Sequence, residues 1–174
     1  MQTDAPTLFE RIRRLLRERD VPFMTMHHAE TRTSADSASA RGEALEMGAK
    51  ALVVKIDDRF ALFVLSAALR LDAAKVRERL DVSRVRFATP DELREHTGLP
   101  PGAVPPFGRP ILPLDLYVDA SITRLDRMAF NAGSQTDSIT MRAADYLALV
   151  EADIFDFAEA ASSEEQTGEP HRTA

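Results

Sequence analysis

Two apolar runs separated by a short polar break constrain the fold of this chain more than any other feature of its sequence. Ala51–Ile56 and Phe60–Leu65 are both rich in β-branched, aromatic and aliphatic residues, and only Asp57-Asp58-Arg59 lies between them. Two such runs joined by so few polar residues are typical of a β-hairpin. We therefore expect antiparallel strands here, with the acidic pair shaping their turn.

Helical and extended patterns alternate along the rest of the chain. Apolar residues at helical spacing, caps such as Asp72 and glycine stops predict helices, and short apolar runs predict strands. The helix that begins at Thr33 is expected to end at Gly48 in the left-handed conformation. The predicted helices are Thr7–Arg19, Thr33–Met47, Asp72–Leu80, Thr89–Gly98 and Ala143–Val150, and the further strands are Val21–His28, Val82–Ala88, Leu114–Val118, Met128–Ala132 and Ser138–Met141, with a last short element at Ile154–Phe157. This order predicts an α+β fold with a mixed, mostly antiparallel sheet and flanking helices.

Length and hydropathy limit the organisation of the chain. Its 174 residues suit one domain, which we place at residues 1–161, followed by a polar segment, 162–174, expected to be disordered. No apolar run approaches the ~18 residues of a membrane span. Met1–Glu10 lacks the basic and apolar stretches of a secretory signal. We therefore expect a cytoplasmic protein with no membrane partner.

Charge and composition narrow the chemistry. A net charge of −6 argues against a protein that binds duplex DNA through a basic surface. The sequence contains no cysteine, which excludes disulfides and thiolate nucleophiles. His27 and His28 are adjacent on a predicted strand and point to opposite faces. We therefore expect no metal site and no cofactor.

Lys50 and a proline-rich segment are the two candidate functional features. Lys50 directly precedes the first apolar run, where its ammonium could reach a pocket mouth; the spacing alone favours a solvated strand end. Leu99–Pro113 has five prolines within Pro100–Pro110, so it is neither a helix nor a central strand. It is either a rigid connector or a stiff backbone that presents its N–H and C=O groups to a ligand.

Three motifs, taken in order, resemble one known family. They are Gly48–Val54 (GAKALVV), Thr97–Gly108 (TGLPPGAVPPFG) and Phe130–Ser134 (FNAGS). In this order they resemble the YbaK/ProX family, free-standing relatives of the editing insertion domain of bacterial prolyl-tRNA synthetase. The resemblance extends over roughly Val21–Val150.

The resemblance implies hydrolysis of mischarged aminoacyl-tRNA, chiefly tRNA for proline that carries a small non-cognate amino acid. It implies a barrel-like sheet, a functional lysine at Lys50 and a loop at Gly102–Pro106 whose backbone places the substrate carbonyl. The 2′-hydroxyl of the terminal adenosine helps to activate water, so no metal or cofactor is implied. The implied partners are the acceptor end of aminoacyl-tRNA and prolyl-tRNA synthetase. The implied substrate-binding residues are Gly102, Ala103, Val104, Pro105, Pro106, Ala51, Asn131, Gly133, Ser134 and Ser138.

Two departures from the family pattern fall at specificity positions. Ala51 stands where many relatives have threonine or asparagine. Ser134, Thr136 and Ser138 occupy a neighbourhood in which several relatives have a histidine. Two other interpretations therefore remain open: a non-catalytic relative that binds tRNA or nucleotides, and an enzyme that forms a Schiff base at Lys50 with a carbonyl substrate.

Overall fold

The computed structural model describes residues 5–162 of the chain. The expected polar tail, 162–174, lies outside these residues except for Ser162. The helices are α1 (Leu8–Glu18), α2 (Ser34–Arg41), α3 (Ala73–Leu80), α4 (Pro90–Thr97) and α5 (Ala143–Leu149). The strands are β1 (Phe23–His27), β2 (Ala49–Ile56), β3 (Arg59–Ser66), β4 (Leu69–Leu71), β5 (Val85–Phe87), β6 (Asp115–Asp119), β7 (Arg127–Asn131), β8 (Asp137–Arg142), β9 (Asp153–Phe155) and β10 (Ala158–Ala160). Within 5–162, no helix has the length and apolar character needed to cross a membrane.

The predicted hairpin is confirmed and forms the centre of the largest sheet. β2 and β3 pair antiparallel from Ala49 opposite Ser66 to Ile56 opposite Arg59, and the sheet has the order β5-β2-β3-β6-β9. At the turn, the Asp57 carboxylate accepts hydrogen bonds from the backbone N–H groups of Ser83 and Arg84, at 3.0 and 2.8 Å. Asp57, which has a φ of +48° within the turn, therefore connects the turn to the segment before β5.

Two hydrophobic cores cover the two faces of this sheet. Alternate residues of β3 face opposite sides: Leu62 and Val64 enter the core under α1, whereas Phe63 and Leu65 pack with Phe157 on the other side. All four β3 residues are fully buried. A strand covered on both faces has no solvent side, so its sequence is a continuous apolar run rather than an alternating one.

The mixed, mostly antiparallel α+β class is confirmed. Besides the five-stranded sheet there are a three-stranded sheet, β1-β8-β7, and a two-stranded pair, β10-β4. Among the strand pairs of residues 5–162, only β3–β6 and β6–β9 are parallel. A bridge between Gly48 and Ala129 connects the two larger sheets. The described strands form no closed barrel, but this bridge brings the start of β2 against β7.

One predicted helix end is wrong. The helix after Thr33 stops at Gly42, which has the left-handed φ of +65°, and a short 3₁₀ turn, Leu45–Met47, follows. Gly48 has an extended conformation with φ −66°. A β-carbon at Gly48 would lie 2.9 Å from Cβ of Ala67, so this glycine is needed for close packing between chain segments rather than as a helix stop.

Candidate active site

A tight turn at the start of the proline-rich segment presents its backbone to a cavity. The N–H of Ala103 donates to the carbonyl of Pro100 at 3.2 Å, and Gly102 between them has a φ of +84°. Proline followed by a glycine with positive φ is the signature of a type II turn, centred here on Pro101 and Gly102. A β-carbon on Gly102 would lie 3.0 Å from the carbonyl oxygen of Arg32. Gly102 therefore satisfies both a positive φ and a close backbone approach.

Three hydrogen bonds attach this turn to the end of β7 and to the segment that follows it. Asn131 Nδ2 donates to the Gly102 carbonyl at 2.8 Å. Gln135 Nε2 donates to the Pro101 carbonyl at 2.8 Å, and the N–H of Gly133 donates to the Ala103 carbonyl at 3.0 Å. Two motifs about thirty residues apart in the chain therefore form one rigid unit.

The far end of the loop is held as firmly. The Tyr146 hydroxyl, fully buried, donates to the Pro106 carbonyl at 2.6 Å. Arg11 of α1 donates to the carbonyls of Pro110 and Ile111, at 2.9 and 3.1 Å. Because both ends are fixed, the turn keeps its orientation without help from a ligand.

The turn, the start of β2 and the end of β7 enclose a cavity of about 290 Å³. Lys50 lines it from β2 and Asn131 from β7, while Arg41 lines it from the last turn of α2. Much of the remaining wall is made of residues with little or no side chain, namely Gly48, Ala49, Ala51, Ala67, Gly102 and Ala129. The cavity is therefore small. Lys50 and Arg41 provide basic groups, and much of the remaining wall is backbone and methyl groups.

Asn131 is the centre of a polar network behind the turn. Its amide Nδ2 also lies within hydrogen-bond distance of Thr31 and Ser37 hydroxyls, at 3.2 and 3.3 Å. Its Oδ1 accepts from the Ser138 hydroxyl at 3.1 Å. Asn131 is 9% exposed and Ser138 is 1% exposed. The network fixes the side-chain amide that in turn holds the Gly102 carbonyl.

Arg41 brings a buried positive charge to this network. Its side chain is 3% exposed; its guanidinium donates to Glu43 at 3.1 Å and to the Ser138 hydroxyl at 3.2 Å. Burial lowers the pKa of the Arg41 guanidinium below its ordinary value, and the hydrogen bond to Glu43 partly offsets this effect. Since arginine keeps its proton far above neutral pH, the guanidinium stays charged, and the Glu43 carboxylate balances part of that charge.

Residues 28–149 match the family model of the aminoacyl-tRNA editing domain. This chain belongs to that family. A relative from Escherichia coli (strain K12), the multifunctional Ser/Thr-tRNA deacylase ProXp-y, is 32% identical over 154 residues, which are 85% of this chain and 91% of the relative. A proline–tRNA ligase of Macrococcus caseolyticus is 28% identical over 107 residues, 62% of this chain but 18% of the ligase. The crystal structure of a candidate trans-editing enzyme for prolyl-tRNA synthetase has a TM-score of 0.74 and 28% identity, and covers 90% of this chain and 100% of that one. These matches confirm the family that the motifs indicated.

Within this editing domain, the predicted site residues separate into two groups. The cavity wall includes Lys50, Ala51, Gly102, Val104 and Asn131. The others lie behind it: Ala103, Pro105 and Pro106 are buried in the loop, and the Ser134 hydroxyl accepts from the N–H groups of Thr136 and Asp137, at 3.0 Å each. Gly133 packs against α1, where a β-carbon would lie 2.8 Å from Cβ of Leu8. Ser138 does not line the cavity; its hydroxyl donates to Asn131 Oδ1.

Two side chains near the site were not predicted from the sequence, one from α2 and one from the residue directly after β1. Arg41 stands in the last turn of a short helix, where a basic residue is ordinary and nothing in the sequence marks it as buried. His28, the residue directly after β1, lies close to Ser138: its Nε2 is 2.7 Å from the Ser138 hydroxyl. Only the fold brings Arg41 to the cavity wall and His28 to Ser138 behind it.

Proposed function

We propose that this protein is an aminoacyl-tRNA deacylase that acts in trans on mischarged tRNA. Water adds to the ester carbonyl, the bond between that carbon and the ribose oxygen breaks, and a free amino acid and uncharged tRNA leave. The observation that carries the proposal is the meeting of Lys50, the Gly102 turn and Asn131 in one cavity of an aminoacyl-tRNA editing domain. Synthetases that handle small amino acids need such a second hydrolytic step, because one methylene changes binding by only ~1–3 kcal/mol.

In this proposal, Lys50 provides a positive charge for the carbonyl oxygen, and the Gly102 turn positions the ester. As the carbonyl oxygen becomes negative, the Lys50 ammonium stabilises it; a preorganised group of this kind contributes ~3–4 kcal/mol. The turn at Gly102, fixed by Asn131 and Gln135, holds the ester without reorganisation. Proton transfer from water is left to the substrate, whose terminal ribose has a hydroxyl next to the ester.

The cavity favours a small amino acid. At about 290 Å³ it lies at the lower end of ligand cavities, which span ~300–1,000 Å³. Ala51 and Ala49 on its wall offer methyl groups only. Serine and threonine esters agree with the relative named as a Ser/Thr-tRNA deacylase. We propose release of Ala, Ser, Cys or Thr from tRNA for proline, with proline spared, in the cytoplasm and alongside prolyl-tRNA synthetase.

A panel of mischarged tRNAs tests the function, and a pair of lysine variants tests the site. Lys50→Ala should lower kcat/KM by ~10²-fold or more. Lys55→Ala is the matched control on the same strand, where the Lys55 ammonium lies 5.4 Å from the centre of the Phe60 ring, and should keep wild-type turnover. Near-normal turnover by a folded Lys50→Ala protein would remove Lys50 from the mechanism.

Two results would replace the proposal itself. If the wild-type protein releases no amino acid from any member of the panel yet binds tRNA, it is a binding relative and not an enzyme. If borohydride traps a carbonyl substrate on Lys50, the lysine acts as a Schiff-base nucleophile, and ester hydrolysis through an ammonium is contradicted.

A further inference from the structure

A second depression of about 260 Å³ adjoins the cavity. The two share Thr33, Ser34, Lys50, Leu52 and Ala67 along their walls. The two are neighbours with a shared wall, and we call them together the acceptor groove. It leads from the Gly102 turn, past Lys50, toward the outer strand β5.

Phe87 lies at the far end of the acceptor groove. It is 57% exposed and, within residues 5–162, is the one aromatic side chain among the exposed large hydrophobics. Phe87 pairs with Val54 across β5 and β2. Residues directly opposite each other in paired strands lie on the same face of the sheet, and so do alternate residues of one strand. Phe87, opposite Val54, therefore lies on the same face as Lys50. Val54 is about 13 Å from Lys50 along β2.

The middle of the groove suits a negative group. Thr33 caps the N-terminus of α2, with its side chain accepting from the N–H of Asp36, and both Thr33 and Ser34 line the groove. The N-terminal end of a helix has partial positive charge. Lys50 faces the same stretch, and Arg70 lines the far side, in an ion pair with Glu159 at 2.7 Å. Glu159 and Asp36, in the first turn of α2, balance part of this positive charge. The order along the groove is therefore the cavity at the Gly102 turn, a stretch that contains Lys50 and Arg70, and an aromatic ring.

We propose that the single-stranded 3′ end of tRNA lies in the acceptor groove, with the base that precedes the terminal adenosine stacked on Phe87. This inference rests on the proposed deacylase function. Read inward from its 3′ end, aminoacyl-tRNA has its groups in the same order as the groove: the ester on the last ribose, then a phosphate, then the base of the preceding nucleotide. Aromatic side chains bind unpaired bases by stacking, with little dependence on base identity.

The test compares three substrates that end in the same ester: aminoacyl-adenosine, its cytidylyl-adenosine counterpart and full aminoacyl-tRNA, each with the amino acid released fastest in the panel. Loss of one stacked base lowers affinity about 5- to 150-fold. Phe87→Ala should therefore raise KM for the two longer substrates at least about fivefold more than KM for aminoacyl-adenosine, with little change in kcat. Phe87→Trp should restore the low KM.

Ile154→Ala is the matched control, since Ile154 is 43% exposed on β9, the opposite outer strand of the same sheet. It should leave all three KM values at wild type. Equal effects of Phe87→Ala on all three substrates, or none, would overturn the inference. A wild-type dimer that Phe87→Ala separates, with KM for tRNA unchanged, would also overturn it and make this face a contact between copies. Wild-type hydrolysis of the panel reports on the deacylase function independently of these ratios.

Discussion

Comparing Gly102→Ala with Gly98→Ala separates the two reasons for having glycine at the turn, namely its positive φ and its close approach to the backbone of Arg32. Gly102 has a φ of +84°, and Gly98, the C-cap of α4, has a φ of +72°. Both variants force an L-residue into the left-handed region, which costs ~1–2 kcal/mol. They differ in space: a β-carbon at Gly98 meets nothing within 4 Å, whereas at Gly102 it lies 3.0 Å from the Arg32 carbonyl oxygen and 3.4 Å from the Arg32 Cα.

The magnitudes follow from this difference. Gly98→Ala should destabilise the protein by ~1–2 kcal/mol through backbone strain alone. Gly102→Ala adds an overpacked contact with backbone, worth ~1–3 kcal/mol more. The contact is relieved only if the turn moves by a few tenths of an ångström. Since a misplacement of ~1 Å can lower a rate ~10²-fold, we expect turnover to fall about tenfold in Gly102→Ala and to stay at wild type in Gly98→Ala.

Urea unfolding and single-turnover deacylation measure the two quantities on the same preparations. The reasoning is refuted if the two alanine variants lose the same stability and both hydrolyse mischarged tRNA at the wild-type rate. In that case the loop is only a connector, and the Gly102 carbonyl that Asn131 holds has no part in placing the ester.

Two further predictions concern hydrogen bonds outside the cavity. Tyr146→Phe removes the donor to the buried Pro106 carbonyl and should destabilise the protein by ~1–3 kcal/mol, with unchanged urea midpoints counting against it. The hydrogen bonds from Arg86 and from the backbone of Thr89 lower the pKa of Glu92 to about 2. The stabilisation of the folded protein by ionised Glu92 should therefore be complete above pH 4.5 and lost as the pH falls toward 2. The melting temperatures of wild type and Glu92→Gln should converge over this interval. A constant difference between them would contradict the pairing of Glu92 with Arg86.

Local signals in the sequence predict the elements well because their causes are local. Thr7 and Thr89 begin helices through reciprocal side-chain and backbone hydrogen bonds with residues three positions later, and such pairs are visible in the sequence. The same holds for the β2–β3 hairpin. The role of Gly48 could not be predicted from the sequence. A glycine after a helical pattern has the same sequence signal whether it ends the helix or allows close packing against another segment, here at Ala67.

The candidate site was predictable only in part. Lys50, Gly102 and Asn131 stand in motifs that resemble a family, and they do line one cavity. Arg41 and Thr31 stand in no motif; they belong to the site because Asn131 and Ser138 approach them across the fold. Such contacts depend on strand pairing and register over the whole domain, which no local pattern encodes.

The hydrogen bonds of Asn131 connect parts of the chain that are far apart in the sequence, and the cavity forms only where these parts meet. Its hydrogen bonds join Thr31, 100 positions earlier in the chain, and Gly102, 29 positions earlier. Each contact closes a large loop of chain, so both are present only when β7, the Gly102 turn and the segment before α2 have come together. We therefore expect a chain in which these segments are not packed together to lack the cavity and to leave charged tRNA uncleaved. The hydrolytic centre arises together with the native state and is lost with it.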